Sequence, residues 1–291
     1  MAELNESEQR FAAYLDEHGY LWQHEPDYQA ELGLATRLKT KPDFLIERGG
    51  HRAVAEVRQF ETTALQDQLS SSGRAGVVGP EKLFGAQRSA MFEKAKQLRP
   101  LAGAGVPLLV VLANPLGKLV PLDDWHMQVA MWGNAAVAIP IDTTTGGPAE
   151  GHEPYLQLEN YGAFASPVME HKKVVGWENR HPHIAAVVVV HERLYSADWR
   201  EEILARYRAP ERSIDAAIED TFKAIREVEA AKERGEEPQG VYQWVSLYEV
   251  NGEEAVPLPE GWFDGPRDER YGFAPEGGYG RLWPEPTEPA E

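Results

Sequence analysis

Residues 41–60, KPDFLIERGGHRAVAEVRQF, carry the strongest structural signal in this sequence. Two short runs of strand-forming residues, 42–47 and 52–60, flank the pair Gly49-Gly50. Two glycines between apolar runs are typical of the tight turn of a β-hairpin. The stretch therefore predicts a β-hairpin.

The predicted hairpin places charged side chains in an apolar setting. Because alternate residues of a strand share a face, Glu56 and Arg58 are predicted to point the same way. Asp43 opens the partner strand, where antiparallel pairing can bring its carboxylate close to Glu56. Two neighbouring carboxylates repel each other, and a divalent cation relieves that repulsion. An all-oxygen site of this kind prefers Mg²⁺ or Mn²⁺.

Helix and strand patterns surround the hairpin. Asn5 with Glu8 three residues later forms a capping box, which predicts a first helix over about 6–18. Apolar spacing predicts a helix over 82–99, and the unbroken apolar run at 106–114 predicts a buried strand. The order is therefore helix, hairpin, helix, strand, and the Glu8 carboxylate is placed where it can join the acids of the hairpin.

The helix predicted at 82–99 is locally basic, with five basic residues against one acidic residue in a chain of net charge −18. Arg88 lies on the apolar stripe of this helix, so it is predicted to face the sheet and to require an anionic partner. The stripe consists of Phe84, Met91, Ala95 and Leu98. Lys94, Lys96 and Arg99 are interpreted as solvated surface residues.

The remaining chain is predicted to elaborate one α/β domain. Apolar runs predict strands at 135–141, 184–191 and 241–250, whereas the 61–80 connection and most of 142–183 are expected to be loops. The domain is expected to span 1–263, with its core in 5–114 and 184–250, a helical-pair insertion at 197–236, and a Pro/Gly-rich tail at 264–291.

Two later segments have distinct compositions. The second insertion helix carries an apolar stripe, interpreted as core packing, with a homodimer contact as the alternative. Its members are Ile214, Ala217, Ile218, Phe222, Ile225 and Val228. The tail, 264–291, holds five glycines and five prolines in 28 residues, which opposes regular structure.

Composition narrows the functional classes. The chain has 291 residues, no cysteine, 29 Lys plus Arg and 47 Asp plus Glu, which excludes disulfide frameworks and thiolate metal sites. Residues 142–291 hold 15 basic and 30 acidic residues, so most of the negative charge lies there and a local basic cleft remains compatible with the first half. The sequence shows neither a signal peptide nor a membrane span, and the expected location is the cytoplasm.

Pro42-Asp43, followed thirteen residues later by Glu56-Val57-Arg58 within this element order, resembles the PD-(D/E)xK nuclease superfamily. The resemblance covers roughly residues 5–114. It implies an α/β fold with a restriction-endonuclease-like αβββαβ core, a mixed, largely antiparallel sheet flanked by helices. It also implies a Mg²⁺- or Mn²⁺-dependent endonuclease that hydrolyses phosphodiester bonds, with DNA as the substrate rather than RNA.

The resemblance assigns roles to individual residues. Asp43 and Glu56 would be metal ligands, Glu8 the helix-borne acid that assists them, and Arg88 would orient the scissile phosphate in a basic cleft. Arg58 would stand where the family has its catalytic lysine. That is a departure, because arginine stays charged and cannot act as a base, although it can stabilise the transition state.

Alternatives remain open at this level. Lys41 is one candidate for the missing lysine. A catalytically degenerate relative that acts as a binding module is the rival hypothesis, with Glu56 and Arg58 as a salt bridge, and an unrelated α/β enzyme using His or Ser is a third. His24, the HPH sequence at 181–183 and His191 are poorly spaced for a metal site and are interpreted as turn or edge histidines.

Overall fold

The computed structural model of the protein describes residues 3–35, 38–60, 80–115, 120–138, 155–170, 173–207, 214–273 and 279–283. The chain divides into two compact units. The first comprises Met1–Val190 and Val245–Glu291, and the second comprises His191–Trp244. The 61–79 part of the long connection lies outside the described residues.

The first helix, the hairpin, the second helix and the buried strand all form as predicted. The structure adds a short strand and a short helix between the first helix and the hairpin. In chain order the elements are α1 (Glu6–Glu17), β1 (Leu21–His24), α2 (Tyr28–Leu32), β2 (Phe44–Arg48), β3 (His51–Gln59), α3 (Pro80–Leu98) and β4 (Leu108–Ala113).

Later segments contain more strand than the sequence predicts. The elements are α4 (Asp124–Trp132), β5 (Gly133–Ala138), β6 (Tyr155–Tyr161), β7 (Ala165–Glu170), β8 (Lys173–Asn179), β9 (Ala186–Leu194), α5 (Tyr195–Arg206), α6 (Ile214–Glu233), β10 (Val241–Glu249), β11 (Glu269–Phe273) and β12 (Tyr279–Trp283). The expectation of loops over 142–183 is therefore wrong for β6, β7 and β8, and residues 142–154 lie outside the described part.

The expectation that the tail lacks regular structure is also wrong, because β11 and β12 pair antiparallel within it. Gly272 lies opposite Gly280 in this pair. A Cβ on Gly272 would lie 2.7 Å from the Leu282 side chain. Glycine here permits a close approach between packed groups, and it does not break the strand.

Among the described residues, eight strands form one mixed sheet in the order β1-β2-β3-β4-β9-β10-β11-β12. β1, β2 and β3 pair antiparallel, whereas β3, β4 and β9 pair parallel. β10 and β11 are also parallel. The α/β class and the mixed sheet are thus confirmed, but the sheet is not largely antiparallel. A helical crossover such as α3 returns the chain in the same direction and produces parallel neighbours.

Helices cover both faces of the sheet. Leu45, Val54 and Val110 pack in the cluster that contains the buried stripe of α3. Ile46, Ala55 and Val57 pack instead in the cluster that contains α1. Strand alternation therefore turns the side chain of Glu56 toward α3.

In the second unit, α6 packs through small residues. Ala224 and Ala231 are buried, whereas Ile218, Phe222 and Ile225 are exposed to 51%, 60% and 42%. The predicted packing of this stripe is therefore wrong, because alanines allow a closer helix approach than the larger residues do. Across the described part of the chain, no helix combines the length and apolar character that a membrane span requires.

Candidate functional site

The hairpin brings Asp43 and Glu56 together, as the sequence predicts. The antiparallel register pairs Phe44 with Ala55, which places the residue before β2 beside the next residue of β3. The Asp43 backbone N–H donates to Glu56 Oε2 at 3.2 Å. The Asp43 carboxylate accepts from the Val57 backbone N–H, with Oδ2 2.6 Å from the nitrogen. Two acids thirteen residues apart are thus fixed to each other through the backbone.

A second group forms around Asp43 from α1 and β1. The Asn5 backbone N–H donates to Glu8 Oε2 at 2.8 Å, so the capping box holds the Glu8 carboxylate in place. His24 Nε2 lies 3.7 Å from Glu8 Oε2. One ligand atom from each of Glu8, His24 and Asp43 lies within 4.8 Å of the other two. We call these three residues the ligand triad.

Lys94 is the cation that reaches Glu56. Its Nζ donates to Glu56 Oε1 at 2.7 Å, and the two side chains are only 14% and 4% exposed. The interpretation of Lys94 as a solvated residue is therefore wrong. A buried carboxylate is costly without a partner, and α3 supplies one from the turn between Met91 and Leu98. The spacing of Met91, Lys94 and Leu98 on one side of the helix is the sequence signal that was missed.

Arg58 lies on the same face of β3 as Glu56, as predicted, but its charged group pairs with α3 and not with Glu56. Its Nη1 lies 3.8 Å from Glu93 Oε2, and 42% of its side chain is exposed. An exposed ion pair of this length contributes little to stability. Lys41 does not replace the missing lysine either, because its Nζ donates to the Glu25 carbonyl at the exposed surface.

Arg88 is half-buried and does not point into the core. Gln87 takes the buried position, where its side-chain amide donates to the Pro121 carbonyl at 2.7 Å. Arg88 instead lines a surface concavity of about 430 Å³ together with Arg180. The expected buried orientation of Arg88 is thus wrong by one helix position.

The surroundings of Asp43 and Glu56 disfavour the charged forms of both carboxylates. Burial raises the pKa of Glu56 to about 7, with a further increase from Asp43 and a partial offset from Lys94. Burial also raises the pKa of Asp43, opposed by the Val57 N–H and Lys94 and reinforced by Glu8. Each of the two acids therefore holds its proton to a higher pH than the free side chain does. A bound cation would add to the positive charge that Lys94 already brings to this cluster.

Tyr28 is a further residue of this site that the sequence analysis did not single out. It is 2% exposed, and its hydroxyl has no hydrogen-bond partner among the described residues. Burial raises its pKa, as do the neighbouring Asp43 and Glu56 carboxylates. A buried hydroxyl without a partner is rare and calls for a ligand or a water.

The residues present fit a hard divalent cation. Carboxylate oxygens and one imidazole suit Mg²⁺ and Mn²⁺, and the imidazole favours Mn²⁺. His24 Nε2 is buried without a hydrogen-bond partner among the described atoms, so it has a free ligand position. Glu56 is less suited to metal than expected, because Lys94 and the Asp43 backbone N–H already bind its two oxygens. The ligand triad therefore replaces the predicted pair Asp43 and Glu56 as the best candidate metal centre.

The raised pKa of Glu56 makes the metal-free protein sensitive to pH. Between pH 4.5, its ordinary pKa, and about pH 7, its pKa in the folded protein, Glu56 is protonated in the folded state and ionised in the unfolded chain. The free energy of unfolding therefore falls as pH rises through this window, by about 3 kcal/mol from this group.

Urea unfolding in EDTA at pH 5 and pH 8 checks this expectation. Glu56→Gln is the matched control, because it removes the titrating group and keeps the side-chain volume. We expect a smaller loss of unfolding free energy between the two pH values in the variant than in the wild type. Equal losses would contradict the assignment of the raised pKa to Glu56.

Comparison of this chain with protein-family models, with curated proteins and with solved structures returned no match in any of the three. The resemblance of residues 42–58 to the PD-(D/E)xK nucleases consists of a short motif and an element order. The chemistry of the site is therefore inferred from its own residues and distances.

Proposed function

We propose that this chain is a divalent-metal-dependent nuclease that hydrolyses phosphodiester bonds, with DNA as its substrate. One observation carries the proposal: Asp43 belongs to the ligand triad and also donates its backbone N–H to Glu56, which forms a buried ion pair with Lys94. Phosphodiester hydrolysis requires stabilisation of developing oxyanion charge and an activated water. A cation site next to an amine and a carboxylate with a pKa of about 7 can supply both.

The topology supports the same proposal. The elements α1, β1, β2, β3, α3 and β4 follow the αβββαβ order of the restriction-endonuclease-like core, apart from the short α2 inserted after β1. The first three strands pair antiparallel, and β4 joins β3 in parallel. We therefore propose that residues 5–114 form a core of this kind.

The roles of the residues follow from their contacts. Glu8, His24 and Asp43 would hold Mg²⁺ or Mn²⁺, and the ion would supply Lewis acidity toward the phosphate and toward the attacking water. Lys94 is placed to orient that water and to stabilise negative charge from the α3 side. Glu56, with a pKa of about 7, can hold the proton that leaves the water at neutral pH.

Lys94 also weakens the rival hypothesis of a degenerate binding module. That hypothesis was favoured by the absence of lysine two residues after Glu56. The structure supplies an amine from α3 at 2.7 Å from the Glu56 carboxylate, so the lysine function does not require the β3 position. The exposed Arg58 then has no necessary part in the chemistry.

Calorimetric titration of metal-stripped protein with Mn²⁺, paired with a cleavage assay on supercoiled plasmid, tests the proposal. We expect saturable Mn²⁺ binding at one site per chain and nicking that requires Mg²⁺ or Mn²⁺ and stops with EDTA. Parallel assays with single-stranded DNA and RNA define the substrate. Absence of both metal binding and cleavage of all three substrates would refute the proposal.

A further inference from the structure

The first unit contains a second candidate site, a cavity of about 560 Å³ whose lining does not include the ligand triad. We call it the aromatic cavity, after the five rings in its wall, Trp125, Trp132, Phe164, Phe273 and Tyr279. Its volume lies within the range of roughly 300–1,000 Å³ found for small-molecule sites. Such a concentration of rings around open space favours a planar aromatic ligand.

The rings leave faces available for stacking. Trp132 contacts Phe273 edge-to-face at a centroid distance of 5.5 Å and Tyr279 in a tilted arrangement at 5.4 Å. Trp125 and Phe273 each remain 56% exposed. Exposed large aromatic residues around a cavity are a mark of binding sites, since water solvates them poorly.

The wall also holds hydrogen-bonding groups. Gln128, Glu178 and Asn179 line the cavity, and amide side chains can pair with the edge of a nucleobase. The Asn179 Oδ1 accepts from the His181 N–H at 2.9 Å, which orients that amide. Trp132 Nε1 is buried beside the Tyr279 hydroxyl, which donates to the Glu249 carbonyl. A hydrocarbon ligand would leave such groups unpaired, whereas a heterocyclic base would not.

A concavity lined by arginine adjoins this wall along the chain. Arg88 and Arg180 line it, together with Phe92, Glu93 and the backbone at Gly162. Arg180 directly follows Asn179 of the aromatic cavity, and Glu93 directly precedes Lys94. A sugar-phosphate backbone bound by the two guanidinium groups would thus have the aromatic rings beside it, and Arg88 lies on the same helix as Lys94 of the proposed nuclease site.

From these placements we infer that the aromatic cavity binds one unpaired or flipped-out base of the DNA strand whose backbone lies along Arg88 and Arg180. The inference rests on the proposed function, because it assumes that the strand is the substrate of the Lys94 site. Stacking on aromatic side chains binds any base with modest preference, and the amides of Gln128 and Asn179 add selectivity for its edge.

Binding of a fluorescent single-stranded DNA oligonucleotide in EDTA tests the inference without metal or cleavage. A second oligonucleotide of equal length, with abasic deoxyribose at every position, serves as the comparison. We expect the wild type to bind the base-containing strand at least about tenfold more tightly than the abasic strand. Trp125→Ala and Phe273→Ala should remove most of that difference and leave affinity for the abasic strand unchanged.

Phe222→Ala is the matched control, since Phe222 is 60% exposed on α6 in the second unit. It should bind both strands as the wild type does. Equal wild-type affinity for the two strands, or an unchanged preference in both cavity variants, would overturn the inference. Plasmid cleavage by the same preparations keeps the two proposals apart. Cleavage without base preference would remove only the cavity, and base preference without cleavage would remove only the nuclease.

Discussion

Asp43→Ala is expected to abolish DNA cleavage and to weaken Mn²⁺ binding by at least about 100-fold. Asp43 connects the two halves of the site. Its carboxylate belongs to the ligand triad with Glu8 and His24, and its backbone N–H binds Glu56. Loss of this carboxylate leaves one acid and one imidazole, which hold a hard cation poorly.

The same substitution should leave the fold intact. It removes the acceptor for the Val57 N–H, but it also removes a negative charge that raises the pKa of Glu56. The two effects oppose each other, so we expect the metal-free variant to unfold at a urea concentration close to that of the wild type at pH 8.

Calorimetry with Mn²⁺ and plasmid nicking measure the two losses, and circular dichroism verifies folding. Glu253→Ala serves as the control, because Glu253 is an exposed carboxylate outside the cluster. It should bind and cleave as the wild type does. A folded Asp43→Ala protein with wild-type affinity for Mn²⁺ would place the metal elsewhere and end the proposal for this triad.

The part of the site that the sequence predicts is the part that lies within one hairpin. Asp43 and Glu56 are close because a Gly-Gly turn fixes the register, and the register is encoded over twenty residues. The alternation of Val54, Glu56 and Arg58 indicates the face correctly. The alternation does not reveal which basic side chain pairs with Glu56, because that pairing depends on how α3 packs on the sheet.

The remaining site residues come from elements that carry weak local signals. His24 ends a strand of four residues, which is too short for alternation to be recognised. Tyr28 lies in a helix of five residues. The sequence analysis interprets Lys94 as solvated because lysine side chains are usually exposed. The buried Glu56 carboxylate overrides that tendency by forming an ion pair with Lys94. Contacts between elements that are distant in the sequence place these residues in the site. No single stretch of sequence therefore predicts their positions.

Composition rules failed where tertiary contacts decide the outcome. Gly272 permits close packing between β11 and β12, so a segment rich in Gly and Pro extends the sheet. In α6, Ala224 and Ala231 face the packing side and Phe222 faces solvent. Helical periodicity indicates that a stripe exists but not which stripe a neighbour covers.

Lys94 and Arg58 are the two candidates for the basic side chain that assists the reaction, and substitutions at the two positions should have very different effects on the cleavage rate. Lys94→Met is expected to slow cleavage by roughly 10²–10³-fold, the usual effect of losing a donor that stabilises developing negative charge. Mn²⁺ affinity should change little, because Lys94 is not in the ligand triad. Arg58→Met should retain cleavage within about threefold, since its exposed ion pair with Glu93 contributes little.

Single-turnover cleavage at saturating Mn²⁺ measures the rates, and two further variants separate chemistry from stability. Lys94→Met leaves Glu56 buried without its partner, which costs about 3–5 kcal/mol in comparable buried pairs. Adding Glu56→Gln should restore much of the unfolding free energy without restoring cleavage. Lys94→Arg keeps the charge, so it should retain more activity than Lys94→Met, as expected for a residue that stabilises negative charge. Wild-type rates in Lys94→Met would make the contact with Glu56 purely structural, and strong dependence on Arg58 would return the catalytic role to β3.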